Sequence, residues 1–138
     1  MSEEIKLFEK AKNLHFSGKI KEAQKSYLKL IKNHKDNHKL NYLLGTTFLQ
    51  IENYYEAIKY FDKSIKINPN LYNAYNNKGI ALNKIEKYNE SIQNYNQAIK
   101  LKKDFFDAYL NKGISFKNLK EYNKAIDCFE YCIKLKPE

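Results

Sequence analysis

A residue pattern with a period of 34 runs through this chain without an insertion. Stepping by that interval from Gly79 lands on Ala11, Gly45 and Gly113, all small residues. Five further columns hold their type through the same four steps. They are Leu14, Phe48, Leu82 and Phe116; Ile20, Tyr54, Tyr88 and Tyr122; Ala23, Ala57, Ser91 and Ala125; Tyr27, Phe61, Tyr95 and Phe129; and Ile31, Ile65, Ile99 and Ile133. A fixed period of about 20 to 50 residues marks an array, in which each unit buries its apolar face against its neighbours.

The apolar spacing inside a unit is helical. Tyr75, Gly79 and Leu82 share one face at i, i+4, i+7, and Tyr88, Ser91, Ile92, Tyr95, Ala98 and Ile99 form a second stripe. A short polar break, Glu86-Lys87, separates them and recurs as Ser17-Gly18-Lys19, Glu52-Asn53 and Lys120-Glu121. Each unit therefore reads as two helices of about 12 to 14 residues joined in a hairpin. The Ala11/Gly45/Gly79/Gly113 column is expected to oppose the Ala23/Ala57/Ser91/Ala125 column, small against small. Each second helix closes on a lysine, at Lys32, Lys66, Lys100 and Lys134, which complements the negative end of the helix dipole. Pro69 and Pro137 follow where a helix must stop.

These columns resemble those of the tetratricopeptide repeat (TPR) family, from Glu4 through Glu138. The resemblance implies an all-α fold, a right-handed superhelical solenoid of antiparallel helix pairs. It implies one TPR domain over residues 1–138, with repeats near 4–37, 38–71, 72–105 and 106–138. The sequence departs from the family in places. The large aromatic near the start of each first helix is Tyr75 and Tyr109 in the later units but Leu7 and Asn41 in the first two. Lys35 and Lys103 replace the closing proline.

Composition narrows the function. The 138 residues include 12 Tyr and 8 Phe, so the chain is not composed like a disordered one. Its charge is +9, and all 25 basic residues are lysine. Abundant Lys, Asn, Ile and Tyr match the output of an AT-rich genome, which gives the charge a bland origin. No apolar run approaches the roughly 20 residues that span a bilayer, and the acidic start MSEEIKLFEK lacks a signal core. A cytoplasmic location is expected. Cys128 and Cys132, four apart on one helix, make a poor disulfide and suit packing. No phosphate loop, nucleophile elbow or zinc pattern occurs, so neither an enzyme nor a cofactor is expected. His34, Asp36 and His38 form an H-x-D-x-H turn, read as solvated rather than metal-binding. Asn89-Glu90-Ser91 is a formal glycosylation sequon on an expected core serine.

The resembled family lines its concave surface with the first helix of each unit, so the expected function is binding a peptide segment of a protein partner. Helix period places Phe8, Lys12, Lys39, Tyr42, Asn73, Asn76, Asn77, Ile80, Leu110, Asn111, Ile114 and Lys117 on that surface. His15, Leu43 and Thr46 fall on the same side. Amides can bond a peptide backbone, the apolar residues offer contact, and the lysines favour an acidic partner. The tract NPNLYNAYNNKG thus divides into a stop at Asn68-Pro69-Asn70, a core stripe, and a groove lining. A carboxylate clamp is not expected. Its positions hold Phe8, Lys12, Leu43, Asn73 and Asn77 in one placement, or Tyr42, Thr46, Asn77, Asp107 and Asn111 in the other, and the set of cations is missing. Nucleic-acid binding is the rival class, disfavoured because lysines cover every face and arginine is absent. A third reading is self-association, as a homodimer, through Ile126, Phe129 and Ile133, which no later helix in the sequence covers.

Overall fold

The computed structural model describes residues 2–136; Pro137, expected to stop the last helix, lies outside them. Eight helices follow one another, with no strand among the described residues: α1 (Glu3–Phe16), α2 (Ile20–Ile31), α3 (His38–Gln50), α4 (Tyr54–Ile67), α5 (Tyr72–Lys84), α6 (Tyr88–Leu101), α7 (Phe106–Asn118) and α8 (Tyr122–Leu135).

Asparagine and serine start several of them. Ser2 Oγ accepts from the Ile5 amide and Asn37 Oδ1 from the Leu40 amide, satisfying donors that a helix start leaves free. Asn53 caps α4 in the same way. The hairpin turns share one geometry. The amides of Lys19, Asn53, Lys87 and Glu121 donate to the carbonyls of Leu14, Phe48, Leu82 and Phe116 at 2.8–2.9 Å. The residue before each donor, Gly18, Glu52, Glu86 or Lys120, has a φ of +62° to +82°. This is the Schellman closure, which needs one left-handed residue.

The chain divides between Pro69 and Asn70 into two units. In the first, hairpins α1–α2 and α3–α4 pack through α2 against α3. Ala11, Ala23, Tyr27, Leu44, Ala57 and Phe61 are fully buried there. Gln24 Nε2 donates to Thr47 Oγ1 at 3.0 Å across α2 and α3, and Ser64 Oγ donates to the His38 carbonyl at 2.8 Å. In the second, hairpins α5–α6 and α7–α8 pack through α6 against α7, and α5 also touches α7. Ala98, Phe105 and Ala108 form a core cluster there, with Tyr72, Tyr75 and Ile99 against it.

Gly45, Gly79 and Gly113 of the small column face the aromatic column. A Cβ on Gly45 would meet Phe61 ring carbons at 2.6 Å, one on Gly113 would meet Phe129 at 2.5 Å, and one on Gly79 would strike Tyr95. The missing side chain is a seat for a ring, and burying that ring contributes about 1.5–3 kcal/mol. Phe129 is thereby turned into its own hairpin. It does not share the exposure of Ile126 (50%) and Ile133 (62%), with which the sequence grouped it.

Candidate functional site

Within the first unit, α1 and α3 bring the expected residues together. Lys12 Nζ lies 2.9 Å from Glu9 Oε1 and 5.0 Å from the Phe8 ring centroid, and Lys39 Nζ lies 5.9 Å from the same centroid. The Phe8 ring contacts Tyr27 at 6.3 Å between centroids, and Tyr42 contacts Phe61 at 6.0 Å. Beside them opens a cleft of about 480 Å³, lined by Lys12, His15, Tyr42, Leu43, Thr46 and Gln50, with Phe16 and Tyr27 completing its wall.

His15 is held from both sides. Its Nε2 lies 2.7 Å from Gln50 Oε1 and its Nδ1 3.3 Å from the Tyr27 hydroxyl. A carbonyl oxygen only accepts, so Nε2 donates and Nδ1 accepts from Tyr27. Burial pushes the Tyr27 phenol up to about 12, which keeps it a donor. Helix period had placed His15 here but missed Gln50 and Tyr27. Gln50 follows His15 by 35 residues, one more than the repeat, and Tyr27 had been read as core alone.

In the second unit, α5 and α7 are joined by amides. Asn111 Nδ2 donates to Asn76 Oδ1 at 3.2 Å, and Asn118 Nδ2 to Asn83 Oδ1 at 3.5 Å, each pair again 35 apart. Asn83 Nδ2 also donates to Ser115 Oγ at 2.6 Å, and Ser115 Oγ lies 2.7 Å from Ser91 Oγ. Asn76 is only 5% exposed, so its amide ties two helices and presents little to a partner. Asn73 and Lys117 are exposed, while Asn77, Ile80, Leu110, Asn111 and Ile114 are half-buried.

Other sequence candidates are occupied elsewhere. His34 Nε2 lies 2.9 Å from Glu4 Oε2. Among the described residues no group of three His, Cys, Asp or Glu side chains is placed to hold a metal. Cys128 and Cys132 are buried free thiols, both pushed up chiefly by burial, and Cys132 Sγ donates to the Phe106 carbonyl at 3.8 Å. Ser91 of the sequon is fully buried. No described helix is long and apolar enough to cross a membrane.

Family models described as tetratricopeptide repeat match residues 39–71 and 106–138, and 60–93, and one described as TPR repeat matches 81–120. The chain belongs to the tetratricopeptide repeat family. Its fold is the TPR one, an all-α array of antiparallel helix pairs, and that fold serves as a protein-interaction module. Among solved structures it is similar to MamA, at 20% identity over 98% of this chain and 79% of that one, with a TM-score of 0.92. A MamA fragment (41-end) from Desulfovibrio magneticus RS-1 gives 22% identity over 99% and 78%, at 0.89. YrrB, described as a TPR protein with an unusual peptide-binding site, gives 21% over 93% and 66%, at 0.86. A search of curated proteins gives no match.

Proposed function

We propose that this TPR protein binds an extended peptide segment of a protein partner along the first helices of its repeats, and catalyses nothing. The observation that carries this is the α1–α3 cleft. It combines an apolar wall, a histidine locked in orientation, and the Thr46 and Gln50 side chains, within a volume of about 480 Å³. Holding polar groups in place before a ligand arrives lowers the ordering cost of binding. Lys12, Lys39 and Lys117 favour an acidic segment. Lys12 is already paired with Glu9, so the site works as a mixed surface and lacks a carboxylate clamp. The description of YrrB as peptide-binding supports the same reading.

The test is recovery of partners from the source cells with wild type beside Lys12→Glu/Lys39→Glu, followed by calorimetric titration of segments from the recovered proteins. Segments should bind wild type and lose at least about tenfold in affinity on charge reversal, with unchanged circular dichroism. Equal binding by both proteins would rule the cleft out. The pair Asn77→Ala/Asn111→Ala is a poorer probe, because Asn111 holds Asn76.

A second reading rests on α8. Tyr122, Ile126 and Ile133 are 57%, 50% and 62% exposed along one face. Self-association through this stripe predicts a mass that rises with concentration in light scattering and falls back to the monomer in Ile126→Lys/Ile133→Lys. A monomeric wild type at high concentration excludes it.

A further inference from the structure

A second cleft in the first unit, of about 670 Å³, opens between the end of α2, the start of α3 and α4. Its floor is apolar, from Ile31, Tyr60 and Ile67, and its rim carries Lys32, Lys35, Lys63 and Lys66 against one carboxylate, Asp36. None of these four lysines is in an ion pair among the described residues. Lys63 Nζ stands 4.8 Å from the Tyr60 ring centroid. The wall includes Asn41, whose Nδ2 donates to the carbonyls of Lys35 and Asn37 at 3.0 and 2.8 Å. Asn41 Oδ1 is buried without a hydrogen-bond partner, a costly state for a side-chain acceptor.

The second unit contains the same place with a different filling. Two repeats on, Lys32, Lys35 and Lys66 recur as Lys100, Lys103 and Lys134, and Asp36 recurs as Asp104. Asn41, however, is replaced by Tyr109, and Lys63 by Tyr131. Their rings meet at 4.3 Å between centroids, tilted by 39°, and the Tyr131 hydroxyl donates to Asp104 Oδ1 at 3.4 Å. Aromatic side chains thus occupy in one unit the space that the other leaves open. At this place the first unit has Asn41 where the second has the Tyr109 ring, and Tyr60 where the second has Cys128.

We propose that this cleft is a second binding site, separate from the α1–α3 cleft, for an acidic peptide segment with an aromatic residue at its centre. The aromatic ring enters the space that Tyr109 fills in the second unit and packs on Tyr60, Ile31 and Ile67. Carboxylates on either side of it reach Lys32 and Lys35 on one rim and Lys63 and Lys66 on the other. The peptide supplies backbone N–H donors beside the unpartnered Asn41 amide oxygen.

The experiment uses the full chain and a fluorescein-labelled Asp-Glu-Phe-Asp-Glu peptide, read by anisotropy. Wild type should bind, and the peptide with Gly in place of Phe should bind about tenfold more weakly or worse, since burying a ring is worth at least that factor. Asn41→Tyr keeps every charge and closes the cleft, so it should abolish binding. Lys32→Ala/Lys66→Ala alters only exposed side chains and should also weaken binding. Lys21→Ala/Lys25→Ala removes the same charge elsewhere on exposed α2 positions and should leave binding unchanged. If Asn41→Tyr folds and binds as wild type does, the proposal is overturned. It is equally overturned if the two lysine pairs weaken binding alike, or if the Gly peptide binds as well as the Phe peptide, since the lysine coat alone then accounts for the attraction. Displacement by inorganic triphosphate at equal charge would make this a phosphate site and also overturn the peptide assignment.

Discussion

The Phe61 ring occupies the place where a side chain on Gly45 would begin, with two ring carbons 2.6 Å from an added Cβ. The same relationship recurs at Gly113 and Phe129. Phe61 is fully buried, so its ring cannot swing away cheaply, whereas Phe129 is half-buried. Gly45→Ala should therefore destabilise the protein by up to about 2 kcal/mol, the overpacking cost of about 1–3 kcal/mol less about 1 kcal/mol gained from the better helix former. A lower urea midpoint with unchanged slope is the expected result. A midpoint at or above wild type would show that the ring has room to retreat.

The hairpin turns separate backbone strain from packing. Gly18 has φ +82° and open space where a Cβ would go, so any effect of Gly18→Ala comes from the backbone alone. It should cost about 1 kcal/mol. Glu86→Gly, at φ +64°, should work the other way, gaining about 0.5 kcal/mol as relief of left-handed strain outweighs the added freedom of the unfolded chain. Thermal melts of the two variants should move in opposite directions.

Ser115 is the junction of the buried polar chain in the second unit, touching both Asn83 and Ser91. Removing its hydroxyl leaves both partners short of a hydrogen bond, so Ser115→Ala should cost about 1–3 kcal/mol. Ser91→Ala/Ser115→Ala should cost less than the two single changes added together, because each single change already removes the hydrogen bond the two hydroxyls share. Additive losses in a denaturation cycle would show that the two hydroxyls act independently.

Stability should respond to pH at both extremes. The His34 side chain, helped by Asn33, lowers the Glu4 carboxyl below its ordinary 4.5. The stabilisation from Glu4 is therefore fully present above the ordinary carboxylate value and is lost as pH falls through the lowered one. His34→Ala should narrow the acid-side drop in melting temperature while leaving the alkaline side unchanged. On that side, Tyr27 holds its proton up to about 12 in the fold against 10.0 unfolded. Stability should thus decline as pH climbs between those values, and Tyr27→Phe should flatten that decline.

The fold was legible because its signals repeat. Any one helix of 12 to 14 residues is weakly marked, but four copies of Tyr27, Phe61, Tyr95 and Phe129 in one column leave a single consistent register. Columns stepped by 34 could not show contacts between neighbouring first helices. Those contacts fall 35 apart, as at His15–Gln50 and Asn76–Asn111. This is why Asn76 was read as groove lining when its amide joins two helices. Phe129 misled for a related reason. Helix period puts it in line with Ile126 and Ile133, but its ring reaches back to the empty seat at Gly113. The Asn41 cleft was half-visible: the missing aromatic could be read from the sequence, whereas the space it leaves depends on Tyr60 and Lys63 from another helix.

The pairs at 35-residue separation act as spacers. His15 and Gln50 occupy in the first unit the positions that Asn83 and Asn118 occupy in the second. A histidine and a glutamine together reach further than two asparagines. The longer pair stands where α1 and α3 leave a cleft, and the shorter pair where α5 touches α7. Within each unit, the length of these two side chains goes with the spacing of its first helices. Exchanging the pairs between units should move the gap with them, so that local aperture follows paired side chains while the backbone stays alike.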